Sequence, residues 1–265
     1  MHAPASETTC TGSIRTETAG PASACSEPPH MANAWFAFDE ASAAGLAEFL
    51  QVILEKLRSP YLFRGQADIN WELEPAIDRE DFSHIRGRLR RKDHEKLVLN
   101  EFKRRALPHL RHLPRDDWEF LALARHHGAP TRLLDWTENP LAALFFAVEA
   151  CCRTDSAVWC YTYVEREELL DTSKYTPLEI DRIVLYRPPH VHSRISTQEG
   201  VFTVHPEDFK QKTNPWGLPL VRIRIPNQSR PHLRLELQRL GVHRATLFPD
   251  LDGVGQYIYQ MWRNS

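Results

Sequence analysis

With 265 residues, 42% of them apolar and 26% charged, the chain has the make-up of an ordinary globular protein: one large domain, or one domain with a tail. A formal net charge of −2 excludes a surface that is cationic throughout and built for nucleic acid, while leaving room for a local basic patch. The longest apolar run, Leu141 to Cys152, is broken by Glu149 and falls short of the ~20 residues that a membrane-spanning helix needs, so no membrane association is expected.

Residues up to about Met31 are rich in Ala, Ser, Thr, Pro and Glu and show no apolar periodicity. Such a segment cannot bury a core, and residues 1–33 are expected to form a disordered tail without signal-peptide character. Cys10, Cys25, Cys151, Cys152 and Cys160 are odd in number and contain no Cys-x-x-Cys, which fits neither a disulfide framework nor a zinc ribbon. A reducing cytoplasm is the expected setting.

Order is expected to begin near Trp35. Asp39 is a plausible N-cap for a helix to about Leu57, with Leu46, Phe49, Leu50, Ile53 and Leu57 at helical spacing, ended by Ser59-Pro60. Tyr61 to Gly65 reads as a short strand closing on a glycine turn, and Trp71 to Ile77 as a second short strand. A charged stretch, Asp78 to Lys92, leads into a helix from about Asp93 to Arg105. Asp116 or Asp117 can cap the next helix, Trp118 to His127, which Gly128 and Pro130 stop. Thr131 to Trp136 is extended or turn-like, and Asn139-Pro140 opens an apolar helix to about Cys151. Strands are expected at Ala157–Val164, Arg182–Tyr186, Val201–His205 and Pro219–Ile225, and helices at Pro231–Leu240 and Asp252–Trp262. The absence of regular βαβ alternation predicts an α+β fold with a mixed, largely antiparallel sheet flanked by helices.

Four constellations carry chemistry. Arg64 lies in Tyr-Leu-Phe-Arg-Gly, where a guanidinium must be paired if it is buried. It suits a bidentate grip on phosphate or carboxylate, or a structural salt bridge to an acid such as Asp135. His126 shares a helix face with Trp118, Leu121 and Ala122, and at the last helical turn its charged form is favoured. It reads either as a site residue or as a core histidine bonded to backbone. In Thr131 to Pro140, alternation puts Leu133, Asp135 and Thr137 on one side and Arg132, Leu134 and Trp136 on the other. Asp135 would orient a base, bind a ribose hydroxyl or pair with an arginine; Thr137 would cap the following helix. The polar stretch from His190 to Gly200 includes His192, Gln198 and Glu199; the two histidines have metal-site spacing without an evident partner, so no metal is expected. The basic run Arg86 to Lys92 would be a solvated face or a phosphate contact, and has no interleaved aromatics for stacking.

These residues resemble the FRG-domain family. The resemblance is carried by Phe63-Arg64-Gly65-Gln66, by Trp71-x-Leu73-x-Pro75, by the long run Leu121 to Pro140, by Ala143 to Ala147, and more weakly by Arg194 to Phe202. It covers roughly Trp35 to the C-terminus, which makes residues 34–265 an FRG-type α+β domain. Arg125 departs from the pattern, since relatives commonly carry Gln there. The family is similar to components of bacterial and phage conflict systems, implying a defence or toxin role. More remotely, the order Arg64-Gly65, then Thr137 with Ala142 to Ala147, then Gln198-Glu199 resembles ADP-ribosyltransferases. That likeness implies NAD as cofactor or substrate. Arg64, Gly65, Gln66, Arg132, Thr137 and Gln198 would bind it, His126, Asp135 and Glu199 would serve catalysis, and a protein or nucleic acid would be the acceptor. The residues leave two other readings open, a non-catalytic sensor binding a nucleotide or a protein, and a metal-independent nuclease with His126 as general base.

Overall fold

The computed structural model describes residues 38–57, 61–79, 89–110, 112–150, 152–163, 169–189, 200–207 and 220–263. The predicted tail, residues 1–33, and the stretch 190–199 lie outside them. Seven strands, β1 (Phe38–Ser42), β2 (Tyr61–Gln66), β3 (Leu133–Thr137), β4 (Ser156–Thr162), β5 (Val184–Tyr186), β6 (Gly200–Val204) and β7 (Leu220–Ile225), form one sheet in the order β1-β7-β4-β2-β3-β6-β5. β1 and β7 run parallel and the other five neighbouring pairs antiparallel, the mixed, largely antiparallel α+β arrangement expected. The helices are α1 (Leu46–Gln51), α2 (Arg91–Ala106), α3 (Asp117–His126), α4 (Pro140–Glu149), α5 (Arg230–Arg239), α6 (Arg244–Leu247) and α7 (Leu251–Arg263).

Side-chain alternation along the strands divides the core. Phe63, Val158, Cys160, Ile223 and Ile225 meet α4 and α5 through Ala143, Ala147, Leu233 and Leu237. Leu62, Leu134, Trp136, Trp159 and Tyr161 form a second cluster with Leu73 and Leu185. A third joins α2 and α3 to the β5–β6 end of the sheet, where Leu99, Trp118 and Leu121 pack with Leu133, Val184 and Phe202.

Local signals fix the elements that frame the cleft described below. Asp116 accepts a hydrogen bond from Glu119 N at 2.9 Å and starts α3, and Gly128 takes φ +84° just beyond its end. Asn139 accepts from Leu141 N and Ala142 N, at 2.9 and 3.2 Å, and Pro140 opens α4.

Two expectations are corrected. Asp39 is not a helix cap: it belongs to β1, opposite Val221 in the parallel pairing with β7, and helix begins only at Leu46. Sheet pairing over five positions outweighs local periodicity there. The helical path also loosens into a π-helical segment, Val52–Lys56. Nor is Trp71 to Ile77 a strand. The Asp68 carboxylate bonds Asn70 N at 2.9 Å, the Gln66 amide takes the Glu72 carbonyl at 3.2 Å, and Ala76–Asp78 is a 3-10 turn after Pro75.

α4 lies directly on β2. A Cβ at Gly65 would overlap the Ala143 carbonyl oxygen and come within 2.6 Å of Ala147 N, both main-chain atoms of α4. Gly65→Ala is therefore expected to destabilise the protein by about 3 kcal/mol, read as a lower denaturation midpoint in urea with an unchanged slope.

Candidate functional site

β2 meets β4 over six register positions and β3 meets β6 over five, but β2 and β3 are in register only at Phe63 and Thr137. The two central strands part beyond that pair, and the Arg64 side chain occupies the split. Its Nη1 donates to the Asp135 carbonyl at 2.8 Å, replacing a ladder bond, and lies 3.5 Å from Asp135 Oδ2. From the last turn of α3, Arg125 reaches the same carboxylate: Nε is 3.2 Å from Oδ1 and 3.0 Å from Oδ2, and Nη2 also contacts Oδ2. A cation at that helix end is favoured by the dipole. Arg64 and Arg125 side chains are 13% and 16% exposed, whereas Asp135 is 40% exposed, so the carboxylate opens to solvent between its two cations.

Burial would raise the Asp135 pKa, but Arg125 and Arg64, with His126 beside them, hold it down at about 2. The arginines are unequally placed. Burial lowers Arg64 to about 10; Asp135 opposes the shift, and Arg79 and Arg125 add to it. Arg125 is raised, with the attraction of Asp135 as the largest cause. Asp135 thus belongs chiefly to Arg125. Among the described residues, the buried Arg64 Nε has no hydrogen-bond partner. Arg64 is thus a buried guanidinium that feels the like charges of Arg79 and Arg125 and shares the Asp135 carboxylate with Arg125.

Behind the cleft lies a closed polar layer. Arg132 pairs with Glu95 at 2.8 Å, each 1% exposed, and Glu95 also accepts from Arg132 N at 3.0 Å. Arg91 pairs with Asp78 at 2.7 Å and donates to the His205 carbonyl at 3.3 Å. The Thr203 hydroxyl shares a 2.9 Å bond with His205 Nε2 and accepts Trp136 Nε1–H at 2.9 Å. Burial first, then Arg91, Arg64 and Arg132, push the fully buried His205 imidazole well below its ordinary pKa and keep it neutral.

The structure brings together Arg64, His126 and Asp135. Of the other predicted residues, those that are described lie behind them. Gly65 meets α4. The Gln66 amide is held between Glu72 O and Trp159 Nε1–H, the latter at 2.7 Å. Arg132 is closed on Glu95, and the Thr137 hydroxyl accepts from Asn139 N at 3.0 Å at the start of α4. Gln198, Glu199, His190 and His192 lie outside the described residues. Of the basic run, Arg91 is buried and Arg90 is paired with Asp93 at 2.9 Å, so that portion is no continuous solvated face. Among the described residues no group of three or more His, Cys, Asp or Glu is arranged to hold a metal.

Sequence reasoning did not select Arg79, Arg125, Glu95 or His205. A signal existed for Arg125, a charge interrupting the apolar run Leu121 to Ala124. For Arg79 and His205 there was none, since their roles depend on contacts between distant segments.

A helix-covered mixed sheet with an arginine-lined split between its central strands defines the class of domain. The family model of the FRG domain matches residues 59–156, a span that includes Arg64, Arg79, Arg125 and Asp135, and the chain carries an FRG domain there. Comparisons with curated proteins and with solved structures gave no match.

Two outcomes follow. Glu95→Ala strands Arg132 in the core and should lower stability by about 3–5 kcal/mol, measured by urea unfolding. Since the folded pKa of Asp135, about 2, lies below the ordinary ~3.9, its ionised form stabilises the fold fully above pH ~4 and progressively less as the pH falls toward 2. Asp135→Asn should start less stable and lose less between those pH values in an acid titration followed by circular dichroism.

Proposed function

We propose that the Arg64 cleft binds the phosphates of a nucleotide, with NAD the leading candidate, and that the chain acts on it as an ADP-ribosyltransferase-like enzyme. The observation that carries this reading is the state of Arg64: its guanidinium is buried in the split, repelled by Arg79 and Arg125, and its Nε has no hydrogen-bond partner among the described residues. A pyrophosphate would bring Arg64 negative charge and acceptors in the bidentate geometry that arginine favours. The half-exposed Asp135, ionised at neutral pH, is suited to accept from ribose hydroxyls beside the bound phosphates. His126 adds a titratable group next to Asp135. Cleavage of the nicotinamide–ribose bond passes through an oxocarbenium-like state that a carboxylate stabilises. Glu199 is the residue proposed for that task on the strength of the resemblance, with a protein or nucleic acid as acceptor. A defence or toxin role in the bacterial cytoplasm accords with the resemblance to conflict-system proteins.

A second reading, a sensor that binds a nucleotide without turnover, is favoured by one specific feature. Asp135 is gripped through both oxygens by Arg125 and held at about 2, which makes it an acceptor and a weak base.

Calorimetry with NAD, ADP and inorganic pyrophosphate, together with an assay of NAD consumption, separates these readings. Saturable binding of all three is expected, weakened at least tenfold by Arg64→Gln, the loss of a charge-assisted bond worth ~1.5–3 kcal/mol. Turnover is expected to vanish in both Arg64→Ala and Glu199→Ala. Turnover that survives both substitutions would sink the transferase assignment. Binding without turnover would establish the sensor, and degradation of RNA or DNA without NAD would replace both by a nuclease.

A further inference from the structure

Arg64 and Arg125 meet the same aspartate through different atoms. Arg64 is placed by main chain: its Nη1 donates to the Asp135 carbonyl at 2.8 Å, on a strand paired to β6 at that residue. Its contact with the carboxylate is long, 3.5 Å to Oδ2. Arg125 takes the carboxylate itself, with Nε 3.2 Å from Oδ1 and 3.0 Å from Oδ2, and Nη2 on Oδ2. Asp135 is the largest influence on the Arg125 guanidinium and raises its pKa, whereas at Arg64 burial outweighs it. The carbonyl thus places Arg64, while the carboxylate decides how much of its charge is free. Arg125 is held in turn by α3, which Trp118 and Leu121 pack against Leu133 and Phe202, and its carbonyl accepts from Gly128 N at 3.1 Å. At 40% exposure the Asp135 carboxylate has room to turn, and a short turn would close its contact with Arg64 to the ~2.8 Å of a charge-assisted bond.

We propose that Arg125 is a positioning residue for the phosphate site: it holds the Asp135 carboxylate off Arg64 and so keeps Arg64 open to an incoming phosphate. This role rests on the phosphate reading of the cleft and adds how its cation is kept available. Without the Arg125 charge, Asp135 would pair with Arg64, and a phosphate would have to displace a bound carboxylate. With it, the carboxylate is already engaged, and Arg64 exchanges only a long contact for a short one. A direct grip of Arg125 on the phosphate would instead require it to release both carboxylate oxygens.

A double-mutant cycle on the binding of inorganic pyrophosphate to the full chain, measured by calorimetry, tests this. Pyrophosphate has no ribose, so the probe reads the cation and not the hydroxyl acceptor. Arg125→Gln should weaken binding by about tenfold, the equivalent of one charge-assisted bond. In an Asp135→Asn background, asparagine keeps an acceptor for Arg125 but has no charge to lend Arg64. The same substitution should there cost less than about threefold. Arg125→Lys, which keeps a cation at the carboxylate, should bind nearer the wild type than Arg125→Gln does, and circular dichroism should show each variant folded. Equal weakening in both backgrounds would make Arg125 a phosphate contact or a mere source of charge and would overturn the proposal. An Arg125→Gln variant that binds like the wild type would do the same. A crystal structure of ligand-free Arg125→Gln gives a readout that needs no phosphate: the Asp135 carboxylate should lie within about 3 Å of the Arg64 guanidinium. If the wild type binds no pyrophosphate, the phosphate reading fails by itself; a carboxylate unmoved in that crystal structure overturns the role of Arg125.

Discussion

No side chain fits at residue 65, because the main chain of α4 lies against β2 at that point. This close approach sets much else in place. It presses the apolar Ala143–Ala147 surface onto the centre of the sheet, and it fixes the β2 backbone one residue after Arg64. α4 is also tied to β3, through the Thr137 hydroxyl and the Asn139 cap. The helix therefore holds the two central strands at the pair where they touch, and they part where Arg64 leaves the backbone. In Phe63-Arg64-Gly65 the glycine serves packing and the arginine fills the split that the packing creates.

The split is maintained by charge as well as by shape. A buried ion pair is weak support for stability by itself, since desolvation offsets most of the attraction. What the layer behind the cleft provides is position. Arg132–Glu95 and Arg91–Asp78 join α2 to β3 and to the turn after β2, and Arg91 reaches the end of β6 through the His205 carbonyl. These are the segments that carry Asp135 and Arg79. The inner pairs are closed to solvent, while the outer carboxylate of Asp135 is 40% exposed. One network thus has a structural half and an accessible half, and only the second can meet a ligand.

Part of this was legible in the sequence. The caps of α3 and α4 and the strand before Gly65 rest on residues whose local chemistry admits few alternatives, whereas Arg64, His126 and Asp135 each allowed a structural role and were grouped by the resemblance. The parallel strand Phe38–Ser42 was not legible, because its helical periodicity competes with a sheet edge supplied by residues 220–225, far along the chain. Gln66 and Arg132 show a different limit. A polar side chain in a site motif looks the same whether it meets a ligand or a buried protein group. Its partner decides, and for Arg132 that partner is Glu95, 37 residues away and marked by no motif.

Arg125 shows how one departure from the resemblance acts through the whole cleft. A glutamine there could donate to Asp135 but would bring no charge, and the carboxylate would turn to Arg64 as its sole close cation. Arginine instead takes both carboxylate oxygens and sets a second cation beside Arg64. Arg64 then shares its carboxylate, and Arg125 is one of the groups that lower its pKa. Such a cation gains most from an incoming anion, because the anion relieves a repulsion as well as forming a bond. The substitution therefore strengthens the demand for negative charge in the cleft while keeping Asp135 ionised and able to accept a hydrogen bond.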